Sequence, residues 1–155
     1  SNPKEVGPDL IANAVGAVSI FGAPVIVIGF GTATTFSAVS AGGSLEGVSI
    51  APGVGTGAQS LFASGAMLPD VELVAPEHAI GKNTILALQS GVVYGAAGMV
   101  EGLVARIKKE LGGNVKVVAT GGWAGLISRH VNCIDTVEPE LTLLGLRLIY
   151  EKNRE

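Results

Sequence analysis

Two short stretches of this chain carry residue types and spacings that could do chemistry. Val25-Ile26-Val27-Ile28-Gly29-Phe30-Gly31-Thr32-Ala33-Thr34-Thr35 is a β-branched apolar run that breaks into glycine and hydroxyl residues, and a second apolar run, Phe36 to Ser40, follows at once. A buried strand that turns through glycine and threonine and returns as another strand predicts a hairpin whose turn can wrap a phosphate. Val117-Val118-Ala119-Thr120-Gly121-Gly122-Trp123-Ala124 reads as a strand, two glycines and the start of a helix. The first loop suits phosphates and the second suits a nucleoside, so the pair points to an ATP site. A metal or phosphate site of this kind would want a carboxylate at position 29, and the chain has Gly29.

The elements that must position these loops can be read from periodicity and punctuation. Asp9 precedes a helical stretch, Leu10 to Phe21, that Gly22 and Pro24 end. Strands are predicted at Val25–Ile28, Thr35–Ser40 and Leu45–Ile50 with glycine-rich turns between them. Three strands this close must form an antiparallel meander. Ala51-Pro52-Gly53 leads into a helix from Thr56 to about Met67, and an irregular acidic segment runs from Leu68 to Lys82. Asn83 or Thr84 caps a long helix to about Leu111 that contains Gly91, Gly95 and Gly98, a spacing that permits close backbone approach to another element. A strand at Val115–Ala119, a helix at Trp123–His130, a weak strand at Cys133–Val137 and an amphipathic helix at Leu141–Lys152 complete the order. A meander followed by helices and further strands is the layout of one α/β ribonuclease H-like lobe of the sugar-kinase and actin superfamily.

Composition bounds the partners. At 155 residues the chain is one domain or one lobe of a larger one. Net charge is −3, with nothing resembling an electrostatic footprint for nucleic acid. Arg106-Ile107-Lys108-Lys109 ends the long helical pattern, where cations suit the helix C-terminus. The stretch from Leu10 to Leu45 carries no charge, but Pro24 and six glycines interrupt it and its period changes near Gly22, which excludes a membrane helix. A single Cys133 excludes an internal disulfide and fits the cytoplasm.

At this point the chain resembles the type III pantothenate kinases, also called Bvg accessory factor proteins, over the second half of a family member. Six segments carry the resemblance: Asn2-Pro3-Lys4-Glu5-Val6-Gly7-Pro8-Asp9; Gly31-Thr32-Ala33-Thr34-Thr35-Phe36; Ala51-Pro52-Gly53; Ile80-Gly81-Lys82-Asn83-Thr84 with Gln89-Ser90-Gly91; Ala119-Thr120-Gly121-Gly122; and Leu141 to Glu151. The resemblance implies ATP-dependent phosphorylation of pantothenate, the first step of coenzyme A synthesis, usually by a homodimer. It also implies magnesium and a monovalent cation, potassium or ammonium, beside the phosphates. By the same resemblance residues 1–155 form the C-terminal lobe, and the N-terminal lobe with its Asp-x-Gly-x-Thr phosphate loop is not among them. That leaves a separate or removed first lobe as partner, beside a second copy.

Roles carry over by position. Asp9 matches the catalytic base that takes the proton from the pantothenate hydroxyl; on its own it would read as a helix N-cap. Gly7 shapes the turn that presents Asp9, and Gly7, Pro8, Leu10 and Thr84 fall at substrate-binding positions. Thr84 read alone caps a helix, and Thr32 read alone is turn chemistry. Gly31 and Thr32 match the ATP-binding phosphate loop. Gly121 and Gly122 match the nucleoside loop, where residues without a Cβ let a purine lie against the backbone. Trp123 beside them either packs in the core or stacks on adenine.

Three positions depart from the family. Gly29 replaces the Asp that holds the cation, Leu10 replaces an Arg able to pair with the pantothenate carboxylate, and Ser37 stands where an Asp is common. They motivate an alternative: a catalytically inactive, partner-binding domain. Weaker motifs do not survive. Gly53-Val54-Gly55-Thr56-Gly57-Ala58 fits a loose dinucleotide pattern without a surrounding parallel unit, Gly81-Lys82-Asn83-Thr84 lacks the earlier glycine of a P-loop, and His78, His130 and Cys133 lack ligand-spaced partners.

Overall fold

The structure, a computed structural model, describes residues 6–64 and 71–154. Helix α1 spans Pro8–Phe21, and β1 (Val25–Phe30), β2 (Ala33–Val39) and β3 (Leu45–Pro52) follow. Helices α2 (Val54–Ser64) and α3 (Thr84–Leu111) lead to β4 (Lys116–Gly121). A short α4 (Ala124–Ile127) continues as a 3-10 turn, Ser128–His130, before β5 (Thr136–Val137) and α5 (Leu141–Lys152). The sheet order is β3-β2-β1-β4-β5. The first three strands form the expected antiparallel meander, while β4 and β5 run parallel to β1. Parallel pairing requires a crossover, which α2 and α3 supply before β4 and α4 supplies before β5. This is the ribonuclease H-like α/β lobe expected from the order of elements.

Alternation along the strands divides the sheet into two faces. Ile26, Ile28, Phe30, Phe36, Val117 and Ala119 point to one side and pack against Val93, Ala97, Val100 and Val104 of α3. Val25, Val27, Val39 and Val118 point to the other and pack against Ala14 and Ala17 of α1 and Leu141 of α5. Helices α1 and α5 cross closely because two glycines meet there. A Cβ on Gly145 would overlap the Ala12 carbonyl, and one on Gly16 would lie 2.9 Å from the Leu141 carbonyl oxygen. Asp135 seals the edge of β4: its Oδ2 accepts from the Val117 N–H at 2.7 Å, and its own N–H donates to the Val117 carbonyl at 2.9 Å.

Several boundaries differ from the sequence reading, each for a local reason. Asp9 is not the cap of α1. Gly7 holds that position and Pro8 opens the helix, where its missing N–H costs nothing and its fixed φ is already helical. The meander turn is only Gly31-Thr32, because β1 continues through Gly29 and Phe30, paired with Thr35 and Thr34. Helix α2 starts at Val54 rather than Thr56. The stretch toward Met67 and Leu68, like Asn2-Pro3-Lys4-Glu5, lies outside the described residues. Asn83, not Thr84, caps α3, accepting from the Leu86 N–H at 2.9 Å. The predicted helix Trp123–His130 tightens to a 3-10 turn after Ile127. Around Gly91, Gly95 and Gly98 of α3 nothing approaches within 4 Å of an added Cβ, so their close-packing partner is not elsewhere in the described chain. No helix of the described residues is long and apolar enough to cross a membrane.

Candidate active site

The face that α1 covers changes character toward the C-terminal ends of β1 and β4. Below, its row is valine; above, it is Gly29 flanked by Thr35 on β2 and Thr120 on β4, its register partners. Parallel α/β units leave a crevice at the carboxyl ends of their strands. Here that crevice is a cleft of about 340 Å³ lined by Asp9 and Asn13 of α1, Gly29 and Gly31, Thr32, Thr35, Thr120, Gly121 and Thr142 of α5. The volume is at the small end for a ligand pocket, room for a phosphate-bearing group and an acceptor oxygen.

Each part of the cleft is held by a specific contact. Asp9 is exposed in the first turn of α1. A Cβ on Gly7 would come 2.6 Å from Asp9 Oδ1, so glycine at 7 lets the carboxylate fold back over the helix start. The Gly31-Thr32 turn is closed by the Gly31 N–H donating to the Ala33 carbonyl at 3.1 Å. It is braced from α2: Thr56 Oγ1 donates to the Thr32 carbonyl at 2.9 Å, and Gly53 sits so close that a Cβ would overlap that oxygen. Thr34 ties the same turn to β3 by donating to the Pro52 carbonyl at 3.0 Å. Gly121 has φ +98°, and its Cβ would overlap the Phe30 carbonyl, so its glycine serves the β1–β4 approach. Gly122, exposed with open space around it, is where a ligand could lie against the backbone. Trp123 packs on the core and against Gly55, 3.1 Å from an added Cβ there, which accounts for its indole without a purine.

The structure therefore brings Asp9, Gly29, Gly31, Thr32 and Gly121 together and leaves other expected residues outside. Gly7, Pro8, Leu10, Thr84 and Gly122 do not line the cleft. Leu10 is withdrawn, 9% exposed. Thr84 stands exposed at the start of α3, on the helix that covers the opposite face. Sequence reading missed Asn13, Thr35, Thr120 and Thr142. The signal for Asn13 was available: it lies four residues after Asp9, one helical turn along the same face. For Thr142, 129 positions away, none was.

The donor set can be tested against the groups the resemblance implies. Position 29 offers no ligand for a monovalent cation. A side chain there would also meet Thr35, whose Oγ1 lies 2.7 Å from an added Cβ, so a carboxylate-held cation does not fit. Among the described residues no cluster of three or more His, Cys, Asp or Glu could hold a metal. Among the described residues Asp9 is the cleft's one carboxylate, which fits magnesium only as an ion carried on a polyphosphate. A nucleotide fits the braced Gly31-Thr32 turn and open Gly122. The motifs set aside stay aside: Gly53 to Ala58 follows an antiparallel strand, and Gly81 packs on the Ala87 backbone. His78 is exposed beside Glu77, His130 meets Tyr94 edge to face at 5.5 Å, and burial, then Glu101, raises the Cys133 thiol pKa.

Comparison with known proteins places the chain. A family model described as type III pantothenate kinase matches residues 1–106. A type III pantothenate kinase of Moorella thermoacetica is 55% identical over 152 residues, covering 98% of this chain and 60% of that protein. One of Roseiflexus sp. is 57% identical over 152 residues with the same coverage, and one of Streptomyces griseus 54% over 155 residues, covering 98% of this chain and 58% of that protein. The chain thus spans about three-fifths of the length of these relatives. A solved Baf family protein from Campylobacter jejuni shares the fold with a TM-score of 0.67 at 20% identity, covering 99% of this chain and 68% of that one. The matched residues and the identities establish that the chain belongs to the type III pantothenate kinase family.

Proposed function

We propose that this chain is the C-terminal lobe of an ATP-dependent pantothenate kinase and needs an N-terminal phosphate-loop lobe to act. The observation that carries the reading is the cleft itself, which sets the Asp9 carboxylate across from the braced Gly31-Thr32 turn and Thr120-Gly121. Asp9 accepts the proton of the pantothenate hydroxyl as its oxygen bonds to the γ-phosphorus and the bond to the leaving ADP oxygen breaks. A positioned base of this kind contributes about 10²–10⁴-fold. Gly31 and Thr32 hold the phosphates and Gly122 leaves room for the nucleoside. ATP supplies the phosphoryl group and arrives with magnesium.

The exposed side of α3 supports association with a second copy. Thr84, Ala87, Gly91, Gly95 and Gly98 recur at three- and four-residue steps and are all exposed. A stripe of small residues lets two helices approach closely. Thr84 heads that stripe, so the substrate contact its family position implies would be made across an interface between copies. Sedimentation at micromolar concentration is expected to give a dimer, and Gly95→Leu a monomer of unchanged helicity; a monomeric parent would remove this part of the reading.

The test of the activity is coupled ATP consumption with pantothenate, run on this chain alone and mixed with a family first-lobe chain carrying Asp-x-Gly-x-Thr. Turnover in the mixture only is the expected result. Turnover by the chain alone would refute the dependence on a first lobe. Silence in a mixture that demonstrably forms a complex would favour the second reading, an inactive partner-binding domain, which Gly29 supports by offering no side chain to the site.

A further inference from the structure

The cleft contains a seat that no role so far uses. Gly29 lies between Thr35 and Thr120 on the cleft floor, with the Thr35 hydroxyl walling one side of the shallow pit above it, at the level where the sheet row turns polar. Asn13 roofs it. The residue is 6% exposed, and Nδ2 lies 3.9 Å from where a Cβ of Gly29 would be. The amide's orientation is set from α5: Thr142 Oγ1 donates to Asn13 Oδ1 at 2.6 Å, which turns Nδ2 toward the pit. Asn13 lines the cleft, and Nδ2 is the amide atom that faces Gly29 there.

A buried amide that presents only its donors selects for an acceptor. The other walls of the pit are threonine hydroxyls, and Asp9, the one carboxylate of the cleft among the described residues, stands a helical turn away. A cation would face the positive end of the amide dipole and find no anionic ligand at position 29. An anionic oxygen would receive a charge-assisted hydrogen bond from Nδ2 and further donors from Thr35 and Thr120. We infer that Asn13 is a nucleotide-binding residue: its Nδ2 donates to a phosphoryl oxygen of ATP seated over Gly29, in a site that works without a monovalent cation. Thr142 is a positioning residue that holds the amide. The inference rests on the kinase reading, because it takes the cleft's ligand to be a nucleoside triphosphate.

The experiment is titration of the chain, mixed with the first-lobe chain, with the magnesium complex of a non-hydrolysable ATP analogue and separately with adenosine. Each is run in potassium buffer and in tetramethylammonium buffer. The parent is expected to bind the analogue equally in both. Asn13→Asp, which keeps the shape and the Thr142 bond but sets a charged acceptor where the Nδ2 donor stood, should weaken the analogue about tenfold or more and leave adenosine unchanged. Thr142→Val should weaken the analogue less, about threefold, by freeing the amide. On the unaltered chain the Asn13 side-chain amide resonances should shift with the analogue and not with adenosine, a readout independent of how the variants fold. Binding of the analogue by Asn13→Asp within twofold of the parent, unmoved amide resonances, or fivefold loss of parent affinity without potassium would overturn the inference while leaving the kinase reading intact. A parent mixture that binds neither ligand would sink both.

Discussion

The two faces of the sheet are built from the same strands and end differently. On the α3 side the row of β1 runs Ile26, Ile28, Phe30, large and fully enclosed to its last residue. On the α1 side it runs Val25, Val27, Gly29, and the neighbours change in step from Val39 and Ser37 to Thr35, and from Val118 to Thr120. One face spends its whole length on packing. The other packs for two residues and then opens a polar cleft at the height where its partner face carries Phe30. Because a strand alternates sides, the chain can build a packed layer and a cleft-lining layer within one six-residue segment, each substitution on it touching only one of them.

The largest expected break of that division is Ile28→Ala. Ile28 is fully buried in the α3-side cluster, and loss of its side chain should cost about 2–5 kcal/mol in urea unfolding, with nucleotide affinity of the remaining folded fraction unchanged. Thr35→Ala, on the adjacent strand at almost the same height on the other face, should cost under about 1 kcal/mol and act instead on the cleft. If Thr35→Ala destabilised as much as Ile28→Ala, the upper α1 face would be core rather than site.

Gly145→Ala tests how the cleft face is closed. Its Cβ would overlap the Ala12 backbone, so α5 must move off α1, at an expected cost of about 1–3 kcal/mol. The same movement should break the Thr142–Asn13 bond and shift the Asn13 amide resonance, whereas α3-side amides stay in place. Gly29→Asp is smaller and is read as a coupling. Alone it forces Thr35 Oγ1 away from 2.7 Å and should cost about 1–2 kcal/mol; in the Thr35→Ala background most of that should vanish. Additive costs would show that the Thr35 hydroxyl does not crowd a side chain at position 29.

The contrast also explains what the sequence could and could not disclose. The packed face was legible because its information is local: a run such as Val25 to Ile28 reads as a buried strand, and Leu141 to Lys152 as a helix, from spacing alone. The Asp9, Thr32 and Gly121 parts of the cleft were legible through the resemblance. What stayed hidden depends on register and crossing. That Thr35 and Thr120 flank Gly29 follows from pairing between strands, that Thr142 reaches Asn13 follows from α5 lying across α1, and that Gly53 and Thr56 brace the turn follows from where α2 starts. Asp9 looked like a cap because Asp favours that position, and Pro8 at the first helical position displaced it by two residues.

The smallest effect reports on the packed face from its rim. Cys133 packs on the α3-side cluster, and burial, followed by the charge of Glu101, raises its thiol pKa above the ordinary 9.0. The thiolate is the reactive form, so alkylation by iodoacetamide at pH 8 should be slower than for a free cysteine and should keep rising with pH beyond 9. The native state holds this proton more tightly than the unfolded chain, so its contribution to stability is present below the ordinary thiol pKa and falls as pH rises through and above it. Ile28→Ala loosens the cluster on which Cys133 rests and should speed alkylation, while Gly29→Asp, on the other side of the same strand, should leave the rate as it was. Equal acceleration by both would mean that the two faces are mechanically one.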